Sequence, residues 1–159
     1  PATGWYAHEP MARTDRSRSL DLGSLAAAVG HALEARPAPV VSVYLYGSYA
    51  NGRAHRESDV DLAILLDPER MPSARERFEA RVDLASALIA ELHRNDLDLV
   101  VLNDLPPGLA RAIITGGQRI YCVDAATDRA FARQVQLRAA DLEPFLRRAR
   151  AIKLARLRR

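Results

Sequence analysis

The sequence has a single cysteine, Cys122, among 159 residues. An internal disulfide is therefore excluded, and a reducing, cytoplasmic setting is expected. Long apolar runs are also missing. The longest stretch without Asp, Glu, Lys or Arg, Pro37 to Gly52, is interrupted by Pro, Ser, Gly and Asn. A spanning helix needs about 18 or more apolar residues, so no membrane span is expected. The opening residues have no basic stretch followed by an apolar run, so a secretory leader is not expected either. His8, His31, His55 and His93 are scattered without metal-ligand spacing. Charge of one sign is equally scarce. The formal net charge is only +3, which makes direct nucleic-acid binding a poor default.

The composition that remains is that of one globular domain. Hydrophobic residues make up 48% and charged residues 27%, and the length suffices for one buried core. The charge is unevenly placed. From Asp141 onward seven basic residues face two acidic ones, a net +5, while the rest of the chain carries −2. Residues 1–19 mix Gly, Pro, Thr and charges without periodicity and read as a loose arm. Residues 20–140 read as the folded domain. Residues 141–159 read as a basic amphipathic helix of that same domain. Leu142, Phe145, Leu146, Ala149, Ile152, Leu154 and Leu157 form its broad apolar sector. Either it docks on its own domain, or it meets an acidic partner or RNA.

Periodicity sets out the elements. Asp21 and Ser24 are both candidate caps for a helix reaching about Ala35, ended by Pro37 and Pro39. Val40 to Tyr46 is rich in β-branched and aromatic residues and reads as a buried strand. Val60 to Leu66 reads as a second strand. Pro72 to about His93 reads as a long helix with Phe78, Val82, Ala85, Leu88, Ile89 and Leu92 as its apolar stripe. Leu97 to Leu102 is a third strand, and Pro106 to Ile114 a short helix stopped by Gly116 and Gly117. Arg119 to Val123 is a fourth strand, with Cys122 as a small core residue. Asp124 to Leu137 and Asp141 to Leu157 read as two further helices. The order predicts an α/β fold: a small mixed, twisted sheet with helices packed on one face and C-terminal helices after it.

The chemistry-bearing segment is Gly47 to Leu62, GSYANGRAHRESDVDL. Gly47-Ser48 closes one strand, and Asp59-Val60-Asp61 heads the next. Alternate strand residues share a face, so Asp59 and Asp61 point the same way. Two adjacent carboxylates among Val60, Leu62, Ala63 and Ile64 call for a positive partner. An oxygen-only donor set selects Mg²⁺ or Mn²⁺. Gly47 has no Cβ and lets a phosphate approach the backbone. Ser48 adds a hydroxyl and, if a short helix starts there, first-turn amides. Asp98 lies on the third strand. Should that strand neighbour the second, three carboxylates converge in the layout of two-metal phosphoryl or nucleotidyl transfer. Asp96 is the competing third acid; Asp98 is preferred because it sits inside the strand. Arg53 and Arg56, between the motif halves, are candidate phosphate contacts. His55 reads as a surface residue. Tyr46 and Tyr49 read as packing aromatics, with stacking on a base as the alternative.

Gly47-Ser48, ten residues, Asp59-x-Asp61, then Asp98 on a later strand resembles the polymerase-beta-like nucleotidyltransferase superfamily. The strings Gly47-Ser48-Tyr49-Ala50-x-Gly52, Ser58 to Leu62, Asp98-Leu99-Val100 and Gly117 to Tyr121 bring it nearer to one branch. That branch is the minimal nucleotidyltransferases, the MntA-type antitoxins of HEPN/MNT toxin–antitoxin pairs. The likeness spans about Leu20 to Leu157. One departure is Asn51, where the family usually has Arg. The resemblance implies a Mg²⁺-dependent enzyme that transfers AMP from ATP to a tyrosine of a HEPN RNase toxin and silences it. It also implies that Asp59 and Asp61 hold the metal, Asp98 completes the site, and Gly47 and Ser48 hold the triphosphate. Two other readings differ in kind. One is the same chemistry on a small molecule such as an aminoglycoside. The other is a non-catalytic antitoxin that neutralises by binding alone.

Overall fold

The computed structural model describes residues 21–55 and 58–157. The expected arm at residues 1–19 and the candidate contact Arg56 lie outside them. The chain runs α1 (Leu22–Ala35), β1 (Val40–Tyr46), α2 (Gly47–Ala50), β2 (Val60–Leu66), α3 (Ala74–Leu92) and β3 (Leu97–Val101). A single 3₁₀ turn (Leu102–Asp104), α4 (Pro107–Gly116), β4 (Gln118–Cys122) and α5 (Ala125–Leu157) complete it. Asp21, not Ser24, caps α1: its carboxylate accepts from the Ser24 amide at 2.9 Å. Ser73 and Glu76 form a reciprocal capping box at the start of α3.

The four strands form one mixed sheet in the order β3-β2-β1-β4. β1 pairs antiparallel with β2 and with β4, and β2 pairs parallel with β3. The central strands β1 and β2 are the most apolar because both of their faces are covered. Val43 and Leu45 with Leu62, Ile64 and Leu66 face α1 and α3. Val41, Tyr44, Ala63 and Leu65 pack instead with Leu102, Ala110, Ile113 and Val135, from the 3₁₀ turn, α4 and α5.

Two helix readings need correction. The buried face of α3 is Ala80, Leu84 and Leu88, whereas Phe78 and Val82 are exposed. Apolar residues surround this helix, so packing against α1 and β3, not periodicity, selects the inward face. The Arg81 guanidinium lies 5.1 Å above the Phe78 ring and partly covers it. The second correction concerns the last two helices, which are one: α5 continues from Ala125 to Leu157 with Pro144 inside it. Pro144 costs one backbone hydrogen bond, but a ring within an otherwise helix-forming run bends a helix without ending it.

One buried polar cluster had no sequence signal. Asp128 of α5 is 3% exposed. It accepts hydrogen bonds from Ser42 Oγ at 2.6 Å and Tyr44 Oη at 2.8 Å, and pairs with Arg119 at 2.6 Å. It therefore pins α5 to β1 and β4. Burial, then the nearby Asp128 carboxylate, pushes the Tyr44 hydroxyl up. Asn103 acts similarly at the far end of β2, donating to the Leu66 carbonyl at 2.9 Å and accepting from its amide at 3.0 Å.

Candidate functional site

The site forms where β1 and β2 end and begin. Three residues stand in one row across the sheet: Tyr46 is in register with Asp61, and Asp61 with Asp98. In-register residues share a face, here the one lined further along by Ala63 and Leu65. Asp59 lies just before β2, two residues from Asp61, and its charge reaches the Asp61 carboxyl. The sequence expectation that β3 neighbours β2 is met, and it is Asp98 that meets Asp61. Asp96 is engaged elsewhere. Arg94 Nε donates to its Oδ1 at 2.9 Å, and the Val60 amide to its carbonyl at 2.8 Å.

The electrostatics record the crowding. Burial first, then the charges of Asp98 and Asp59, raise the Asp61 carboxyl above its ordinary value. Burial, then Asp98 and Asp61, pushes the Tyr46 hydroxyl up to about 12. Tyr46 therefore stays a neutral phenol at any physiological pH, half-buried beside the acids.

Gly47 is required twice over. Its φ is +71°, in the left-handed region. A Cβ built on it would overlap the Asp61 carboxylate and lie 2.8 Å from Asp61 Cγ. The backbone thus passes against the acid with no room for a side chain. Ser48 follows in α2, a single turn of four residues whose N-cap is Tyr46. Asn51, the departure from the usual arginine, closes that turn by donating from Nδ2 to the Gly47 carbonyl at 2.8 Å. Arg53 is exposed, and its amide bonds the Ser48 carbonyl at 2.9 Å. It therefore sits just behind the turn.

Three further residues hold this geometry in ways the sequence did not show. Arg94 donates to Tyr49 Oη at 3.1 Å while gripping Asp96, and lies 5.6 Å from the Tyr49 ring centre. It links α2 to the entrance of β3, and it commits Tyr49 to packing. Gln118 Nε2 donates to the Ala50 carbonyl at 2.8 Å, tying the other end of α2 to β4. Ser58, buried just before Asp59, accepts from the His55 amide at 2.9 Å and closes the loop onto the strand. For Ser58 and Gln118 the only signal was their place in the motif strings; Arg94 had none.

Among the described residues, no three His, Cys, Asp or Glu side chains are grouped as a ready-made metal cage. The donor set still fits a hard divalent cation. Mg²⁺ is usually held by one or two carboxylates, with water and substrate phosphates completing its shell. Clustered, mutually repelling carboxylates beside a bare backbone offer that arrangement. Among the described residues, no helix is long and apolar enough to cross a membrane.

Residues 31–126 match the family described as polymerase beta, nucleotidyltransferase. Over 79 residues the chain is 37% identical to protein adenylyltransferase MntA of Shewanella oneidensis, covering 50% of this chain and 52% of that protein. The chain thus spans about half the length of the curated relative it matches. A crystal structure of a toxin–antitoxin with AMP-PNP superposes at a TM-score of 0.59, with 25% identity over 84% of this chain and 98% of the other. The tri-AMPylated HEPN toxin of Shewanella oneidensis in complex with its MNT antitoxin superposes at 0.56, with 22% identity over 87% of this chain and 100% of the other. At that identity the second likeness concerns the fold.

Proposed function

The chain belongs to the polymerase-beta nucleotidyltransferase family, and from that premise we propose that it transfers AMP from ATP to a tyrosine hydroxyl of a HEPN-type RNase toxin, acting as the antitoxin. The observation that carries the reading is the row of Asp61 and Asp98 in register, against a Gly47 whose place no side chain could take. Support for the adenylyl group and the toxin comes from the relatives: an adenylyltransferase, and a toxin–antitoxin pair with an ATP analogue. We place the reaction in the cytoplasm, where the lone Cys122 stays reduced.

Asp59 and Asp61 would hold Mg²⁺ (or Mn²⁺), with Asp98 beside them. Such a cation neutralises the triphosphate and lowers the pKa of an attacking hydroxyl. Gly47 brings the backbone against Asp61, so the phosphates meet the turn and the carboxylates together, and the Ser48 hydroxyl and the Arg53 guanidinium bind their oxygens; Arg56, three residues on in the sequence, is assigned the same role. The acceptor oxygen forms a bond to the α-phosphorus, the bond to the β-phosphate oxygen breaks, and pyrophosphate leaves. The hydroxyl proton passes to Asp98, the exposed member of the pair. As a further ligand, Asp98 would complete the metal's carboxylate set with Asp59 and Asp61.

The test is incubation of the chain with ATP, Mg²⁺ and the HEPN protein, followed by intact mass measurement of both. Gain of one or more AMP units by the toxin is expected, with none from the Asp59→Ala, Asp61→Ala variant. A double variant that still neutralises the toxin in full would assign the effect to binding alone.

A further inference from the structure

The face of α5 that seals the domain does not stop where the domain stops. Val135 and Ala139 are 6% and 4% exposed. The same spacing then continues through Leu142, Leu146 and Ala149, alternating steps of four and three that keep all five on one helical stripe. Yet Leu142 is 43% exposed and Leu146 45%, and Phe145 beside them is 70% exposed. An aromatic ring and two leucines in a row on one helix form more than the scattered apolar exposure of an ordinary surface.

We propose that the α5 segment from Leu142 to Ala149 is a docking surface for an acid-flanked helix of the partner protein. This rests on the toxin partnership proposed above. The heptad-like seam is the pattern that packs against another helix. The charge around it selects the partner's sign. Glu143 is already engaged by Arg111 at 3.9 Å and Arg147 at 3.8 Å. Arg148 and Arg150 are exposed, and among the described residues no ion pair is made by them. Acidic side chains flanking the incoming helix would complete these charges at the rim, where they speed and orient association. A second copy of this chain would set basic flank against basic flank. RNA would satisfy the arginines but leave the Phe145 row against phosphates.

The experiment uses the full chain and the purified HEPN toxin, with Phe145→Glu and, separately, Arg148→Glu combined with Arg150→Glu. Each variant is first shown to melt like the wild type. Phe145→Glu is expected to weaken toxin binding by about tenfold or more and raise KM for toxin, with ATP affinity unchanged. The double arginine variant is expected to slow association and flatten its salt dependence. Hydrogen exchange across residues 139–150 of the wild type should slow in the complex. Wild-type toxin affinity in both variants, with AMP transfer intact, overturns the docking surface and leaves the transferase reading standing. Failure of the wild type to transfer AMP, with binding that Phe145→Glu abolishes, overturns the transferase reading and leaves the surface standing. Sedimentation showing a wild-type dimer that Phe145→Glu dissolves, or a short RNA that protects the segment in place of the toxin, overturns it.

Discussion

Gly47→Ala tests the close approach of the backbone to Asp61. The new methyl group meets the Asp61 carboxylate, and the positive φ costs about 1–2 kcal/mol by itself. Asp61 must move, so AMP transfer is expected to fall by more than tenfold, with a modest loss of Tm. Asp61→Asn separates function from stability in the opposite direction. Its carboxyl is destabilised by burial and by Asp98 and Asp59, so removing its charge is expected to leave Tm unchanged or raised while transfer drops at least about a hundredfold. A thermal melt without nucleotide and a labelled-ATP assay on the same preparation check both. That Asp61 and the Gly47-Ser48 turn lie side by side was legible from the sequence, because they stand at the facing ends of two adjacent apolar runs; the roles given to them, to Asp59 and to Ser48 are those proposed above. Arg94 was not legible: its partners lie 2 and 45 residues away, and nothing in a chain of many arginines marks the one that bridges them.

At the scale of elements, the site depends on how α2, β2 and β3 are held in place. Arg94→Ala removes the grip on both Tyr49 and Asp96 and is expected to lower kcat severalfold. Arg94→Lys should recover part of it, since an ammonium keeps the charge but not the forked geometry. Steady-state kinetics with ATP and toxin varied separately distinguishes this from a loss of toxin binding. The Asp128 cluster holds α5 to the sheet. Asp128→Ala strands the buried Ser42 and Tyr44 hydroxyls, at a cost of about 2–3 kcal/mol in denaturant unfolding. Strand boundaries were read almost to the residue, since β1 and β2 are apolar on both faces and bounded by turn residues. The inward face of α3 and the continuity of α5 were misread, because apolar residues around a helix do not say which of them finds a neighbour.

For the whole molecule, pH acts through the tie between α1 and α3. His31 Nδ1 lies 2.9 Å from Glu91 Oε1, and the carboxylate raises the imidazole above its ordinary value. A His pKa raised on folding adds stability that is complete below the unfolded value of about 6.5 and lost as pH climbs through the higher folded one. The Tm gap between wild type and His31→Gln is therefore expected to be positive near about pH 5.5 and to close by about pH 8.5. Both partners are exposed, so added salt should shrink the gap.

The amino-acid sequence alone determined the element types, the paired aspartates and the glycine–serine turn, because each is a short-range pattern whose meaning is carried by backbone geometry. Tertiary structure decided which strand neighbours β2, and so which acid joins Asp61. It also buried Asp128 and left the seam of α5 uncovered beyond Ala139. These outcomes depend on residues far apart in the chain, and only the folded packing sets which of them meet.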